Sequence, residues 1–383
     1  MKKNYITGMG IAIVVLLWLG LAGFAWIKKP MEKSVSERRK LEQAPTLSVE
    51  TILAKDVYNE DGSLKTRKSF MSLFEKYTLD QFPWRQEFRQ VKSLFSYYAL
   101  QKQDNNNIYI DGDHIVKITY PLNETQLEAN LKVLNEVYES TFAKKHSKVY
   151  VTVIPDKNYY AGPENGKLTG DFEGLFQTVQ EQMPWATYID ITDTLNTDSY
   201  YYTDHHWRQE KILAAANKIA EAMGKTVQQE ADYTVEKADT VFYGTYFGQA
   251  AMPMEGESIY LLQSQLLQQC EVTNVSAGQP SYIYDMSKLS GDDPYEVYLA
   301  GSHSGIMEIV NPNGNRRNEI VIIRDSFGCS MVPLLLKDYY KVTLIDLRLV
   351  EESALNRLIQ PKMGKDVLFM LSTEVLTGDL TGQ

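Results

Sequence analysis

Cysteine is nearly absent from this chain: 383 residues hold two, Cys270 and Cys329, too far apart in sequence to suggest a disulfide framework. Histidine is almost as scarce, with five, and His114, His146 and His303 stand alone without ligand spacing. Basic residues are outnumbered, 39 Lys and Arg against 49 Asp and Glu, for a net charge of −10. No domain-wide basic surface is available to neutralise phosphates, which excludes a nucleic-acid partner. Internal repeats and low-complexity tracts are missing as well. The hydrophobic share of 44% is that of a globular protein with a sizeable core.

Long apolar runs are also rare, with one exception. Residues 8–27, GMGIAIVVLLWLGLAGFAWI, carry no charge, and about 20 helical residues cross the ~30 Å hydrocarbon core of a bilayer. The run is longer than a signal peptide's apolar stretch and no clean small-x-small cleavage site appears before Ile27-Lys28-Lys29-Pro30, so residues 1–29 read as an uncleaved single-pass anchor. Two lysines precede the run, whereas Lys28, Lys29, Lys33, Arg38, Arg39 and Lys40 follow it. Counted literally, these charges keep the following domain in the cytoplasm. They oppose the extracytoplasmic orientation expected below.

What is plentiful is tyrosine, 25 in all. A flat apolar ring with a hydroxyl at its edge suits sugar surfaces and ordinary strands alike. Residues 30–50 are polar and read as a juxtamembrane tether. Residues 51–383 read as the main domain, and within them 66–102 place apolar side chains at helical intervals, broken near Pro83. Strands then alternate with helices. IYIDGDHIVKI (108–118) predicts a hairpin, residues 124–146 an amphipathic helix, KVYVTVIP (148–155) a buried strand, 171–183 a helix and 187–192 a short strand. A helix is predicted over 206–224, closed by Gly224. Residues 225–315, tyrosine-rich and glycine-punctuated, predict a β or irregular insertion. The rhythm resumes with the strand NEIVIIRDSFG (318–328), a helix over 330–340, a strand over 341–348, a helix over 350–359 and a last strand, DVLFMLS (366–372). This alternation predicts a three-layer α/β sandwich with a mostly parallel sheet. Its ligand edge lies beyond the carboxyl ends of the strands, where Asp156-Lys157, Asp193 with the following Thr203-Asp204-His205-His206 loop, Asp325-Ser326 and Asp346-Arg348 are expected to converge.

The stretch YYYTDHHWR (200–208) is the chemical centre of the sequence. Thr203 or Asp204 suits a helix N-cap, but a cap has no need of two consecutive histidines. A metal site is disfavoured because neighbouring residues of a helix point about 100° apart, which would separate His205 from His206. A hydrolytic reading needs a carboxylate, an imidazole and a hydroxyl. Asp204 and His206 supply the first two; Ser326, between the strand EIVII and a following helix, supplies the third. The first-turn N–H groups of that helix would face whatever Ser326 attacks.

TDHHW, followed far downstream by IIRDSFG, resembles the DHHW family of bacterial surface proteins, as do TLDQFPWRQEF (78–88) and VIPDKNYY (153–160). These are similar to the alginate O-acetylation proteins of the SGNH-hydrolase-like superfamily. The resemblance implies that Ser326 is the nucleophile, His206 the base and Asp204 its orienting carboxylate, with His205 a neighbour. It implies O-acetyl transfer to a cell-surface polysaccharide by a membrane-anchored, extracytoplasmic domain, with acetyl groups delivered by a membrane-bound O-acyltransferase partner. Asn158 is a candidate for the oxyanion site, and Lys157 or Arg324 for an anionic substrate group. Tyr159, Tyr160 and Trp207 are candidates to line a groove that holds off water. No cofactor or metal is expected. A carbohydrate esterase with the same residues and a non-catalytic glycan-binding or scaffold protein are the alternative readings.

Overall fold

The structure, a computed structural model, describes residues 28–58, 64–102, 104–301, 304–350, 364–378 and 380, with Leu355 and scattered positions in 9–23. The apolar run 8–27, the helix expected over 350–359 and His303 lie largely or wholly outside the described residues. Among the described residues no helix is long and apolar enough to cross a membrane.

The chain forms two compact units. The first, up to Gln103 with a short return at 251–253, holds helices α1 (Phe70–Asp80) and α2 (Arg85–Leu94). Ser69 caps α1 by accepting from the Ser72 N–H. Between the helices Trp84 takes a left-handed conformation, φ 54°. The polar stretch before the helices is ordered: Arg39 grips the carboxylate of Asp80 in a two-pronged contact of 2.8 and 2.6 Å. Glu37 gathers Arg39, Arg85 and Arg89. That carboxylate is held below its usual range, the three guanidinium groups outweighing its burial.

The second unit opens with the expected hairpin, β1 (Ile108–Asp111) and β2 (His114–Lys117). It continues through α3 (Glu124–Val137), β3 (Lys148–Ile154), α4 (Lys157–Glu164), α5 (Phe172–Gln182), β4 (Thr187–Tyr188) and α6 (Leu213–Ala222). Then follow β5 (Thr234–Lys237), α7 (Thr245–Ala250), β6 (Tyr260–Gln263), β7 (Glu271–Asn274), β8 (Gln279–Ser281), β9 (Ile306–Val310) and β10 (Asn315–Arg324). The chain closes with α8 (Gly328–Met331), β11 (Tyr339–Ile345) and β12 (Asp366–Ser372).

Eight strands make one sheet in the order β8-β7-β9-β11-β10-β12-β3-β4. From β11 to β4 every pairing is parallel. From β8 to β11 every pairing is antiparallel. The sheet is therefore mixed, where a mostly parallel one was expected. The reason lies in residues 225–315, which add β7, β8 and β9 to the same sheet besides forming the separate β5–β6 pair. Pro280 sits in β8, the edge strand, where a missing N–H costs no ladder bond.

Side-chain alternation sorts the core into two layers. Val149, Val151 and Val153 join Val321, Ile323, Val367 and Phe369 on one face, under Leu131 and Leu134 of α3 and Phe172 and Phe176 of α5. Tyr150, Ile154, Ile320, Ile322, Leu368 and Met370 face the other way, under Ala216 and Ile219 of α6. Both faces being covered makes three layers. Because β3, β10, β11 and β12 run parallel, their carboxyl ends share one edge.

The sequence expectation of a helix from 206 is corrected. Residues 209–211 form a 3₁₀ turn and α6 starts only at Leu213. Upstream, the Tyr201 N–H donates to the His206 carbonyl and Tyr200 bridges Trp207, a β-type pairing incompatible with helical backbone.

Candidate active site

Ser326 stands two residues past the end of β10, on a turn whose geometry is set by Asp325. That carboxylate is 1% exposed. Its Oδ1 accepts from the Phe327 N–H at 3.0 Å and its Oδ2 from the Ser372 N–H, at the end of β12, at 2.7 Å. Burial raises its pKa. Gly328 is required behind the turn, because a Cβ there would stand 2.7 Å from the Arg324 Cβ. The turn leaves Ser326 partly exposed among buried neighbours.

The DHHW loop has no ladder or helix to hold it, and side chains take that role. Glu257 accepts from the Tyr202 and Thr203 N–H groups at 2.8 and 2.7 Å and from the Thr203 hydroxyl at 2.6 Å. Lys157, 1% exposed, donates to the carbonyls of Ile115, Tyr201 and Asp204 at 2.9, 2.6 and 2.6 Å. Gly244 lies so close that a Cβ would meet the Asp204 Cβ and the Thr203 carbonyl at 2.3 Å. That closeness lets the Thr245 N–H donate to Asp204 Oδ2 at 2.6 Å.

The two segments, 120 residues apart in sequence, meet at the sheet edge. His206 Nε2 stands 2.8 Å from Ser326 Oγ, and His206 Nδ1 stands 2.6 Å from Asp204 Oδ1. Asp204 Oδ1 also accepts the backbone N–H of His206 at 3.0 Å. With Nδ1–H directed at the carboxylate, Nε2 presents its lone pair to the serine hydroxyl. Burial, seconded by the adjacent His205, lowers the His206 pKa to about 4, outweighing the Asp204 carboxylate. The imidazole is thus neutral at pH 7 and able to accept a proton. The Tyr295 ring stacks on it at 3.9 Å and 11°, and Phe327 packs from another side at 4.8 Å.

The other residues singled out from the sequence are distributed differently. All three protons of Lys157 are directed at backbone carbonyls, so it is a staple of the DHHW loop and has no donor left for a substrate anion. Burial lowers its pKa to about 8. Asn158 accepts from the Tyr109 hydroxyl at 3.0 Å and donates to the Leu168 carbonyl at 3.1 Å; none of its bonds leads to Ser326. Arg324, 1% exposed, reaches the Asp325 carbonyl and Asp346 at 3.4 and 3.5 Å, inside the protein. Trp207 is fully buried rather than groove-lining; its indole N–H donates to the Phe327 carbonyl and Ser330 Oγ at 3.1 and 2.9 Å, tying the histidine loop to the serine turn. Tyr159 stands at a surface groove with its hydroxyl on Glu173 at 2.7 Å. The first-turn N–H groups expected to receive an oxyanion are turned back: Phe327 donates to the Asp325 carboxylate and Gly328 to the Asp325 carbonyl.

Asp204, His205 and His206 each offer a ligand atom within 4.8 Å of the others. Their imidazoles lie 3.9 Å apart, not splayed as helix spacing suggested, because the loop is not helical. The donor set nonetheless fits a metal poorly: an ion on His206 would have to displace either Asp204 or Ser326 from a ring nitrogen.

These features define a class: a three-layer α/β fold with a hydroxyl–imidazole–carboxylate chain beyond its parallel strand ends. Residues 186–345, which contain both the Asp204–Trp207 stretch and Ser326, match the family model described as DHHW protein, the family that the sequence resembles. A solved DHHW family protein from Eubacterium siraeum is 18% identical with TM-score 0.58, covering 73% of this chain and 94% of its own. Bacillus cereus PatB1 with a sulfonyl adduct is 18% identical with TM-score 0.57, covering 72% and 97%. PatB1 without that adduct is 17% identical with TM-score 0.55. At these identities the likeness is one of fold. No curated protein matches the sequence.

Proposed function

We propose that this chain is a membrane-anchored O-acetyltransferase of the SGNH-hydrolase-like kind, acting on a cell-surface polysaccharide through Ser326, His206 and Asp204. The single observation that carries the reading is the unbroken chain of bonds from Ser326 Oγ through His206 to Asp204, at 2.8 and 2.6 Å.

In the first half-reaction Ser326 Oγ attacks the acetyl carbonyl as His206 Nε2 takes the hydroxyl proton. Asp204, held by the Thr245 N–H and the loop backbone, keeps Nδ1–H in place and stabilises the imidazolium. The protonated imidazole then delivers its proton to the departing group, leaving acetyl-Ser326 and a neutral ring. A sugar hydroxyl gives its proton to Nε2 and attacks the ester, and Ser326 regains the proton as it leaves. Tyr295 and Phe327 shield the imidazole from water, which favours an alcohol acceptor over hydrolysis. The apolar run 8–27 would hold this unit at the outer face of the membrane, beside a membrane-bound O-acyltransferase that hands over acetyl groups.

The test is intact-protein mass spectrometry with an acetyl ester donor and with a sulfonyl fluoride. Each is expected to add one group to the wild-type chain and none to Ser326→Ala. An unaltered adduct on the variant, or full turnover by it, would sink the proposal. Release of acetate at equal rates with and without glycan acceptor would instead make the protein an esterase.

A further inference from the structure

A groove of about 590 Å³ lies beyond the carboxyl ends of β3 and β4, on the sheet edge that also carries Ser326. Its walls include Tyr159 and Tyr160 of α4, together with the carboxylates of Glu164, Asp171, Glu173 and Asp193. Among its described lining residues there is no lysine or arginine, although Lys218 of α6 pairs with Asp193. The two tyrosine rings meet edge to face at 4.8 Å, and both hydroxyls are tethered to the wall: Tyr159 to Glu173 at 2.7 Å, Tyr160 to the Thr192 carbonyl at 2.9 Å. Phe172 and Phe176 brace Tyr159 from behind, each at 5.7 Å. The rings are thus held in place before any ligand arrives. Thr169, also in the lining, has a buried hydroxyl without a hydrogen-bond partner.

Fixed rings beside hydrogen-bond acceptors suit a pyranose, whose C–H face packs on an aromatic ring while its hydroxyls donate to carboxylates. The charge narrows the choice. Glu164, Asp171 and Glu173 are exposed, and a uronate polymer would bring carboxylates against them, whereas a protonated sugar amine would meet an opposite charge. In the order β10-β12-β3-β4 the groove stands two to three strand spacings from the serine-bearing strand, about 10–14 Å. One polysaccharide strand could lie in it while a neighbouring sugar reaches Ser326.

We propose that this groove is a second glycan subsite, which selects a polysaccharide carrying free amino groups and rejects acidic ones. The inference rests on the polysaccharide reading above and names its substrate class.

The test uses the full-length Ser326→Ala protein in detergent, which separates binding from turnover. Hexasaccharides of glucosamine, glucose and galacturonic acid are titrated by calorimetry. Glucosamine is expected to bind about tenfold tighter than glucose, and galacturonate more weakly than either. Tyr159→Ala should weaken the glucosamine oligomer at least about tenfold. If loss of that ring unfolds α4, the paired exposed changes Glu164→Gln and Glu173→Gln decide: they should bring glucosamine down to the glucose level, as should high salt. Equal binding of galacturonate and glucosamine, or no response to the paired change, would overturn the subsite. Should Ser326→Ala keep full turnover while this selectivity holds, the acyl-transfer reading falls and the groove survives. Loss of turnover without selectivity leaves the reverse.

Discussion

The serine turn and the histidine loop meet through the His206–Ser326 hydrogen bond and those of the Trp207 indole, but are built in opposite ways. Ser326 stands on regular structure: it follows a ten-residue strand paired on both sides, and Asp325 ties it to the end of β12. Asp204 and His206 stand on a loop held by side chains, with half-buried Glu257 and buried Lys157 serving its backbone and Gly244 making room for Asp204. A ladder spreads its loss over many equivalent bonds. A loop stapled by two ionisable groups does not, so single changes there should be felt far more.

Asp204→Asn probes the chemistry of the loop with its shape kept. If the proposed function holds, the wrong tautomer of His206 should lower acetyl transfer by about 10³–10⁴-fold, read from steady-state kinetics with folding checked by circular dichroism. Lys157→Met comes next. Stranding three buried carbonyls should cost on the order of 3–5 kcal/mol in urea denaturation. The matching change in the turn, Asp325→Asn, faces an amide N–H₂ toward one of two backbone donors and should cost less, about 1–3 kcal/mol. Were Asp325→Asn the more damaging of the two, the contrast drawn here would be wrong.

The mildest test is pH. In the proposed reaction His206, with its pKa lowered to about 4, must be neutral to take a proton, so turnover should persist through pH 5 and fail as pH drops through about 4. Stability follows the same sign. Between about 6.5 and 4 the unfolded chain binds a proton that buried His206 refuses, so folding weakens with falling pH across that window. A thermal midpoint that rose on acidification there would contradict the neutral imidazole.

The same contrast explains what could be read in advance. Strands β3, β10, β11 and β12 announce themselves as apolar runs, and the turn after β10 carries Ser326 in plain view. The pair Asp204 and His206 was visible through its motif, but its backbone was misjudged, because apolar periodicity from Leu213 onward masks the non-helical stretch before it. Lys157, a lysine at a strand end, has the look of a surface residue; only the three carbonyls around it explain its burial. Tyr295 and Glu257, which pack on and hold the histidine loop, come from the tyrosine-rich segment, where no spacing distinguishes them from their neighbours. Gly244 is one glycine among 23, and nothing local marks it as the one pressed against Asp204.

Strand β12 is the last of the eight to leave the ribosome, yet it occupies an inner position between β10 and β3. Until residues 366–372 have been synthesised, β10 lacks one of its two neighbours and Asp325 lacks the Ser372 amide. A chain that stops before residue 366 therefore leaves the Ser326 turn without its tie to β12, and the proposed acyl transfer is expected to wait for that strand.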